Sequence, residues 1–131
     1  ELQKVSIAAC LLQKVDLYAL DEPSAFLDVE DRIAVAKFLQ QFTRSFGKSA
    51  MVIDHDLQLL DLISDSIVIF QGTSGMNGHA SPPISKVAAM NQFLKSLDIT
   101  FRRDEKSKRP RVNKENSRLD KTQKASSNFY Y

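Results

Sequence analysis

With 131 residues, 43% of them hydrophobic, the chain can build one domain with a real core, and no apolar run nears the roughly 18 residues that span a bilayer. The lone Cys10 excludes a disulfide framework or a thiolate metal cluster within the chain, and with no secretory signal at its start a reducing, cytoplasmic setting is expected. A net charge of +2 hides a split: residues 1–100 hold 8 Lys/Arg against 12 Asp/Glu, while residues 101–131 hold 10 against 4.

Leu2, Val5, Ala9 and Leu12, with Ala8 beside them, recur at helical spacing and predict a helix over residues 1–13. It opens without a capping segment, as a piece of a longer chain would. Leu17 to Leu20 predict a short buried strand. Asp28 then caps a second helix, with Asp31 three residues on in the manner of a capping box. Val35, Phe38, Leu39, Phe42 and Phe46 are its expected apolar stripe, and Gly47 its C-cap.

Ala50 to Ile53 predict a second buried strand, running into Asp54, His55 and Asp56. A short helix with Leu57, Leu60 and Ile63 on its inner side follows, then a third strand from Ile67 to Phe70. Alternating strands and helices point to a parallel sheet with right-handed crossovers. Residues 71–83 gather three of the four glycines and two of the four prolines, which reads as a loop with His79 on its surface. Val87, Met90, Phe93, Leu94 and Leu97 mark a further helix. Residues 99–103 and 109–113 fit a hairpin, with Pro110 on an edge. The pattern fades past residue 114. The closing Asn128, Phe129, Tyr130 and Tyr131 are expected to dock on the body rather than stack on bases.

The stretch LDEPSAFLD raises the question of chemistry. In an open parallel sheet, functional groups gather at the carboxyl ends of the strands. Asp21 and Glu22 end the first strand, and His55 ends the second. Each has a plain structural alternative: the two acids as a turn before Pro23, the histidine as a helix cap. Their conjunction favours phosphoryl transfer to water, which needs a carboxylate near Mg²⁺, a group that orients water and a donor near the γ-phosphate. Asp21, Glu22 and His55 suit those roles in that order.

LYALDEPSAFLD resembles the Walker B strand, catalytic glutamate and D-loop of the ABC-type ATPases, and VIDHD resembles their switch-histidine loop. ELQKVSIAACLL resembles the helix after the LSGGE signature, with Glu1 as that motif's last residue. SAFLD carries one aromatic residue more than the usual SALD. MNQFLKSLDITFRRD, followed by RPRVNKENSRLD, resembles the C-terminal segment of the RNase L inhibitor family, the ribosome-recycling ABC proteins. These matches cover nearly the whole chain.

The resemblance implies an α/β fold: a partial P-loop NTPase parallel sheet with flanking helices, extended by a C-terminal helix and β-hairpin. Residues 1–80 would be the C-terminal part of a nucleotide-binding domain and 81–131 the family extension. It implies an ATP hydrolase that uses Mg²⁺, with Asp21 holding the metal through water and Glu22 and His55 catalytic. Glu1 and Asp28 would lie where two ATPase halves close, although Asp28 equally fits an N-cap. Implied partners are the first ABC half, the small ribosomal subunit and release or rescue factors, with no membrane. Iron–sulfur clusters would belong to the parent's N-terminal part alone. The basic tail is a candidate contact for rRNA.

The departures are also informative. No GxxxxGK[ST] loop occurs, and no LSGG precedes Glu1. A phosphate loop supplies the backbone cradle and the lysine that bind nucleotide, so the segment alone is expected to be inactive. Two other readings stay open: the ATPase of a membrane importer or DNA-repair system, and a non-catalytic module whose basic tail binds RNA.

Overall fold

The computed structural model describes residues 2–106 and 109–131. The chain divides into two compact units, Glu1–Ile63 and Ser64–Tyr131.

In the first unit, α1 (Leu2–Leu11) leads to β1 (Leu17–Asp21), α2 (Val29–Phe46), β2 (Ser49–Ile53) and α3 (Leu57–Ile63). β1 and β2 pair in parallel, from Leu17 opposite Ser49 to Asp21 opposite Ile53, so their carboxyl ends are level. Alternation along β1 buries Tyr18 and Leu20 and exposes Leu17, Ala19 and Asp21. The core joins these two with Ile7, Leu11, Leu27, Val35 and Leu39. Leu39 has no exposed surface, which places about 1.5–3 kcal/mol of transfer free energy in that one side chain.

The long α2 follows its sequence signals closely. Asp28 Oδ1 accepts from Asp31 N–H at 2.8 Å at the start, and Gly47 closes the helix in the left-handed region at φ 60°. There the Gly47 N–H donates to the Thr43 carbonyl. Only part of the predicted stripe is inward: Val35 and Leu39 are buried and Phe42 packs on them, whereas Phe38 and Phe46 are exposed. For α1 the predicted face is wrong. Ile7 and Leu11 are buried, while Leu2, Val5 and Leu12 are exposed. Apolar residues lie all around this helix, so periodicity alone selects no side. The Tyr18 hydroxyl, donating to the Leu11 and Gln13 carbonyls, fixes how its end meets the sheet.

The second unit runs β3 (Ser66–Ile67), β4 (Phe70–Thr73), β5 (Asn77–Ala80), β6 (Ile84–Ser85), α4 (Lys86–Ser96), β7 (Phe101–Arg103), β8 (Pro110–Val112) and α5 (Arg118–Ala125). Among the described residues the parallel sheet therefore has two strands, not three. The stretch expected to be the third pairs antiparallel with the chain that follows it: β3 with β6 and β4 with β5. Ser81 bridges the interruption, its N–H donating to the Ile69 carbonyl and its hydroxyl accepting from Ile69 N–H. Pro82 and Pro83 have no N–H to extend the ladder.

Residues 71–83, expected to be a loop, thus contain a hairpin. Its glycines serve the turn: a Cβ on Gly72 would stand 2.2 Å from the Asn77 carbonyl oxygen, and Gly75 has φ 74°.

The predicted C-terminal hairpin is present as β7 and β8, antiparallel, with Arg102 opposite Arg111. Past residue 114, where no apolar pattern is legible, α5 forms and is held by polar bonds. Thr100 Oγ1 donates to Asp120 Oδ1 at 2.6 Å, and Asn113 Nδ2 donates to Thr100 Oγ1 and to Gln123 Oε1. Gln123 Nε2 closes the set on the Phe101 carbonyl at 2.9 Å. No buried side-chain polar atom among the described residues lacks a partner, which makes such a network stabilising rather than costly. The terminal aromatics dock as expected. Phe129 and Tyr130 are buried, and the Phe101 N–H donates to the Phe129 carbonyl at 2.7 Å.

Candidate functional site at the carboxyl ends of β1 and β2

Level strand ends place the loop after Asp21 beside the loop after Ile53. Asp21 is the last residue of β1 and is exposed. Glu22 follows in the left-handed region at φ 46°, unusual for a residue with a Cβ and costing about 1–3 kcal/mol. Its N–H donates to the Ile53 carbonyl at 2.7 Å, tying the turn to the end of β2. His55 Nε2 then lies 2.8 Å from Glu22 Oε1. The sequence predicts this pair, and the fold brings it together.

Both side chains are open to solvent, His55 at 88% and Glu22 at 49%. An exposed pair of this kind contributes only about 0–1 kcal/mol. It cannot hold two loops by itself. Residues that sequence reasoning passes over do so. Asp54 accepts from the Ser24 hydroxyl at 2.8 Å and from the Ser24 N–H at 3.1 Å, and from the Asp56 N–H at 2.8 Å. Arg32 reaches from α2 to both loops, Nε donating to the Leu27 carbonyl at 2.9 Å and Nη1 meeting Asp56 Oδ2 at 3.1 Å. The one legible signal for these roles is the pair of acids flanking His55.

Asp28 is the N-cap of α2, so its structural role is real. Phe26, the residue additional to the usual SALD pattern, has φ 61° and is 98% exposed. Glu1, expected at the end of a signature motif, lies outside the described residues. Among the described residues no group of three His, Cys, Asp or Glu could hold a metal by itself. Mg²⁺ in nucleotide sites keeps several waters and takes one or two carboxylates plus phosphate oxygens. Asp21, an exposed carboxylate at the strand end, fits that modest demand.

Glu22 facing His55 at the level carboxyl ends of β1 and β2, with Asp21 exposed at the end of β1, is an arrangement that fits an ABC-type ATPase segment. No protein-family model matches the chain. Individual proteins do. An ABC transporter ATP-binding protein of Methanocaldococcus jannaschii is 47% identical over all 131 residues, which span 22% of that protein. Translation initiation factor RLI1 of Saccharomyces cerevisiae is 42% identical, again over the whole chain and 22% of its own length. The archaeal ribosome recycling factor aABCE1, solved in complex with ribosomal stalk protein aP1, superposes with a TM-score of 0.94 at 47% identity. That match covers 100% of this chain and 25% of the other. The chain belongs to the RNase L inhibitor family, the group of RLI1 and ABCE1. It spans about a fifth of the length of the curated relatives it matches.

Proposed function

We propose that this chain is the C-terminal part of the second nucleotide-binding domain of an ATP-hydrolysing protein that splits ribosomes into subunits. Residues 1–80 would carry the hydrolytic loops, and residues 81–131 the family-specific extension. The observation that carries the reading is the Glu22–His55 contact of 2.8 Å at the carboxyl edge of the sheet. Glu22 orients the attacking water and accepts its proton. His55, exposed enough to turn, donates to the phosphoryl oxygens that gain charge. Asp21 would hold Mg²⁺ through water, and such an ion would supply neutralisation of the phosphate charge. Asp28, beside the exposed Phe26, would face the first ABC half of the parent.

The same reading makes the small ribosomal subunit and release or rescue factors its partners, in the cytoplasm. Similarity to an archaeal recycling factor solved with a stalk protein supports it. Among the described residues no helix is long and apolar enough to cross a membrane. With no phosphate loop in its sequence, the 131-residue segment alone would bind ATP weakly and hydrolyse none.

The test is subunit release by the full-length protein with ATP, followed by gradient sedimentation. Glu22→Gln should abolish repeated rounds of release while leaving ATP bound. Undiminished release by that variant would overturn the assignment.

A further inference from the structure

We propose that Ser24 and Asp54 form a staple that positions Glu22 against His55, making both of them positioning residues for the hydrolysis assigned above, on which this inference rests. Ser24 stands two residues after Glu22, and Asp54 stands immediately before His55. Their side chains join the two loops that carry the pair. Asp54 is half-buried and spends its carboxylate on three neutral donors: the Ser24 hydroxyl at 2.8 Å, the Ser24 N–H at 3.1 Å and the Asp56 N–H at 2.8 Å. Hydrogen bonds to an ionised acceptor are about twice as strong as neutral ones. Ser24 is itself 5% exposed, so its hydroxyl has little water to turn to.

The staple adds support where the backbone geometry needs it. Glu22 holds a left-handed backbone that persists only where its surroundings impose it. Below it, the Ile53 carbonyl takes the Glu22 N–H; above it, the Glu22 carbonyl accepts from Ala25 N–H at 3.0 Å. Ser24 sits inside that turn, and its bonds to Asp54 fix the turn's distance from the second loop. The Arg32 guanidinium, bridging Leu27 and Asp56, is a second tie between the same two segments. Asp56 in turn caps α3 through the Gln58 N–H at 2.8 Å. The pair thus stands on a framework of hydrogen bonds that joins the loop after β1, the loop after β2 and the starts of α2 and α3.

Misplacing a catalytic group by about 1 Å can cost on the order of 10²-fold in rate. In the full-length protein, Asp54→Ala should lower kcat for ATP hydrolysis by about 10- to 100-fold. Ser24→Ala removes one bond of three and should lower it about 3- to 10-fold, with KM for ATP within about twofold of wild type in both. The double variant should be no slower than Asp54→Ala alone, because both substitutions break one connection. Asp54→Asn keeps one acceptor oxygen and should fall between wild type and Asp54→Ala. Hydrogen exchange without nucleotide gives a second readout: the Ser24 and Asp56 amides should exchange faster in Asp54→Ala.

Glu22→Gln measured in parallel separates the two levels. Slow hydrolysis by Glu22→Gln with unchanged kcat in Ser24→Ala and Asp54→Ala would overturn the staple and leave the assignment of Glu22 intact. Unchanged hydrolysis by Glu22→Gln would overturn both. Independent, additive losses would also defeat the staple. Should Asp54→Ala fail to fold, Ser24→Ala, which deletes a single hydroxyl, decides the matter.

Discussion

Asp28 Oδ1 accepts the Asp31 N–H at 2.8 Å, so the residue that ends the D-loop-like stretch is also the N-cap of α2. The two roles make different demands. Capping needs an oxygen acceptor, whereas an interface between ATPase halves would use charge or shape.

Asp28→Ala should therefore cost about 0.5–2 kcal/mol of stability, and Asp28→Asn or Asp28→Ser much less. Denaturant unfolding of the three variants checks this. If Asp28→Asn restores stability but not ATPase activity in the full-length protein, the carboxylate acts beyond the cap.

Asp120 predicts a pH dependence. The Thr100 hydroxyl that donates to it, helped by the Asn116 N–H and nearby Lys124, holds its carboxyl below the ordinary value of 3.8 against the opposing effect of burial. A lowered pKa in the fold means that the unfolded chain binds the proton more readily. The contribution is therefore present above the ordinary carboxylate range and is lost as pH falls through the folded value. Asp120→Asn should lower the denaturation midpoint near neutral pH, and should flatten the loss of stability that the wild type shows below about pH 4. Parallel pH profiles for the two proteins would refute this.

How much of the molecule is legible in its sequence varies with the kind of force involved. The parallel β1–β2 pair, both caps of α2 and the Glu22–His55 convergence follow from local signals: apolar runs, Asp28, Gly47, and acids or histidine at strand ends. The face of α1 is misread because Leu2, Val5, Ile7, Leu11 and Leu12 lie on more than one side of the helix, and only packing in the tertiary core selects Ile7 and Leu11. Ile67 to Phe70 resemble a third parallel strand because an apolar run does not reveal its partner. Gly72 and Gly75 allow a tight return close by in sequence, and the strand pairs there. The helix α5 leaves no apolar stripe to find, since Asp120 and Gln123 face inward on hydrogen bonds. Ser24, Asp54 and Arg32 cannot be ranked from sequence because their roles exist only once two distant loops meet.

The basic extension offers a test between two uses of its arginines. Arg102 already donates to the Val112 carbonyl and the Asn113 side chain, Arg111 pairs with Asp104 at 3.3 Å, and Arg103 lies over the Tyr131 ring. Cations engaged in this way suit an intramolecular hinge better than binding to phosphate. Changing Arg102, Arg109 and Arg111 together to Ala in the full-length protein should weaken coupling between the ATPase halves. It should leave the salt dependence of ribosomal-subunit binding unchanged. A salt slope flatter by about 0.7–0.9 for each phosphate no longer neutralised would instead place these arginines on RNA.

Glu22, set opposite His55, is assigned to activate the water that attacks ATP, and everything proposed for the site depends on that role. Single-turnover hydrolysis by the full-length protein carrying Glu22→Gln tests it most directly. Glutamine keeps the size and part of the hydrogen bonding but cannot accept the water's proton. ATP binding should stay near wild type while hydrolysis slows by roughly 10²-fold or more. Hydrolysis at the wild-type rate would contradict the assignment and would leave Glu22 as a turn residue at the end of β1.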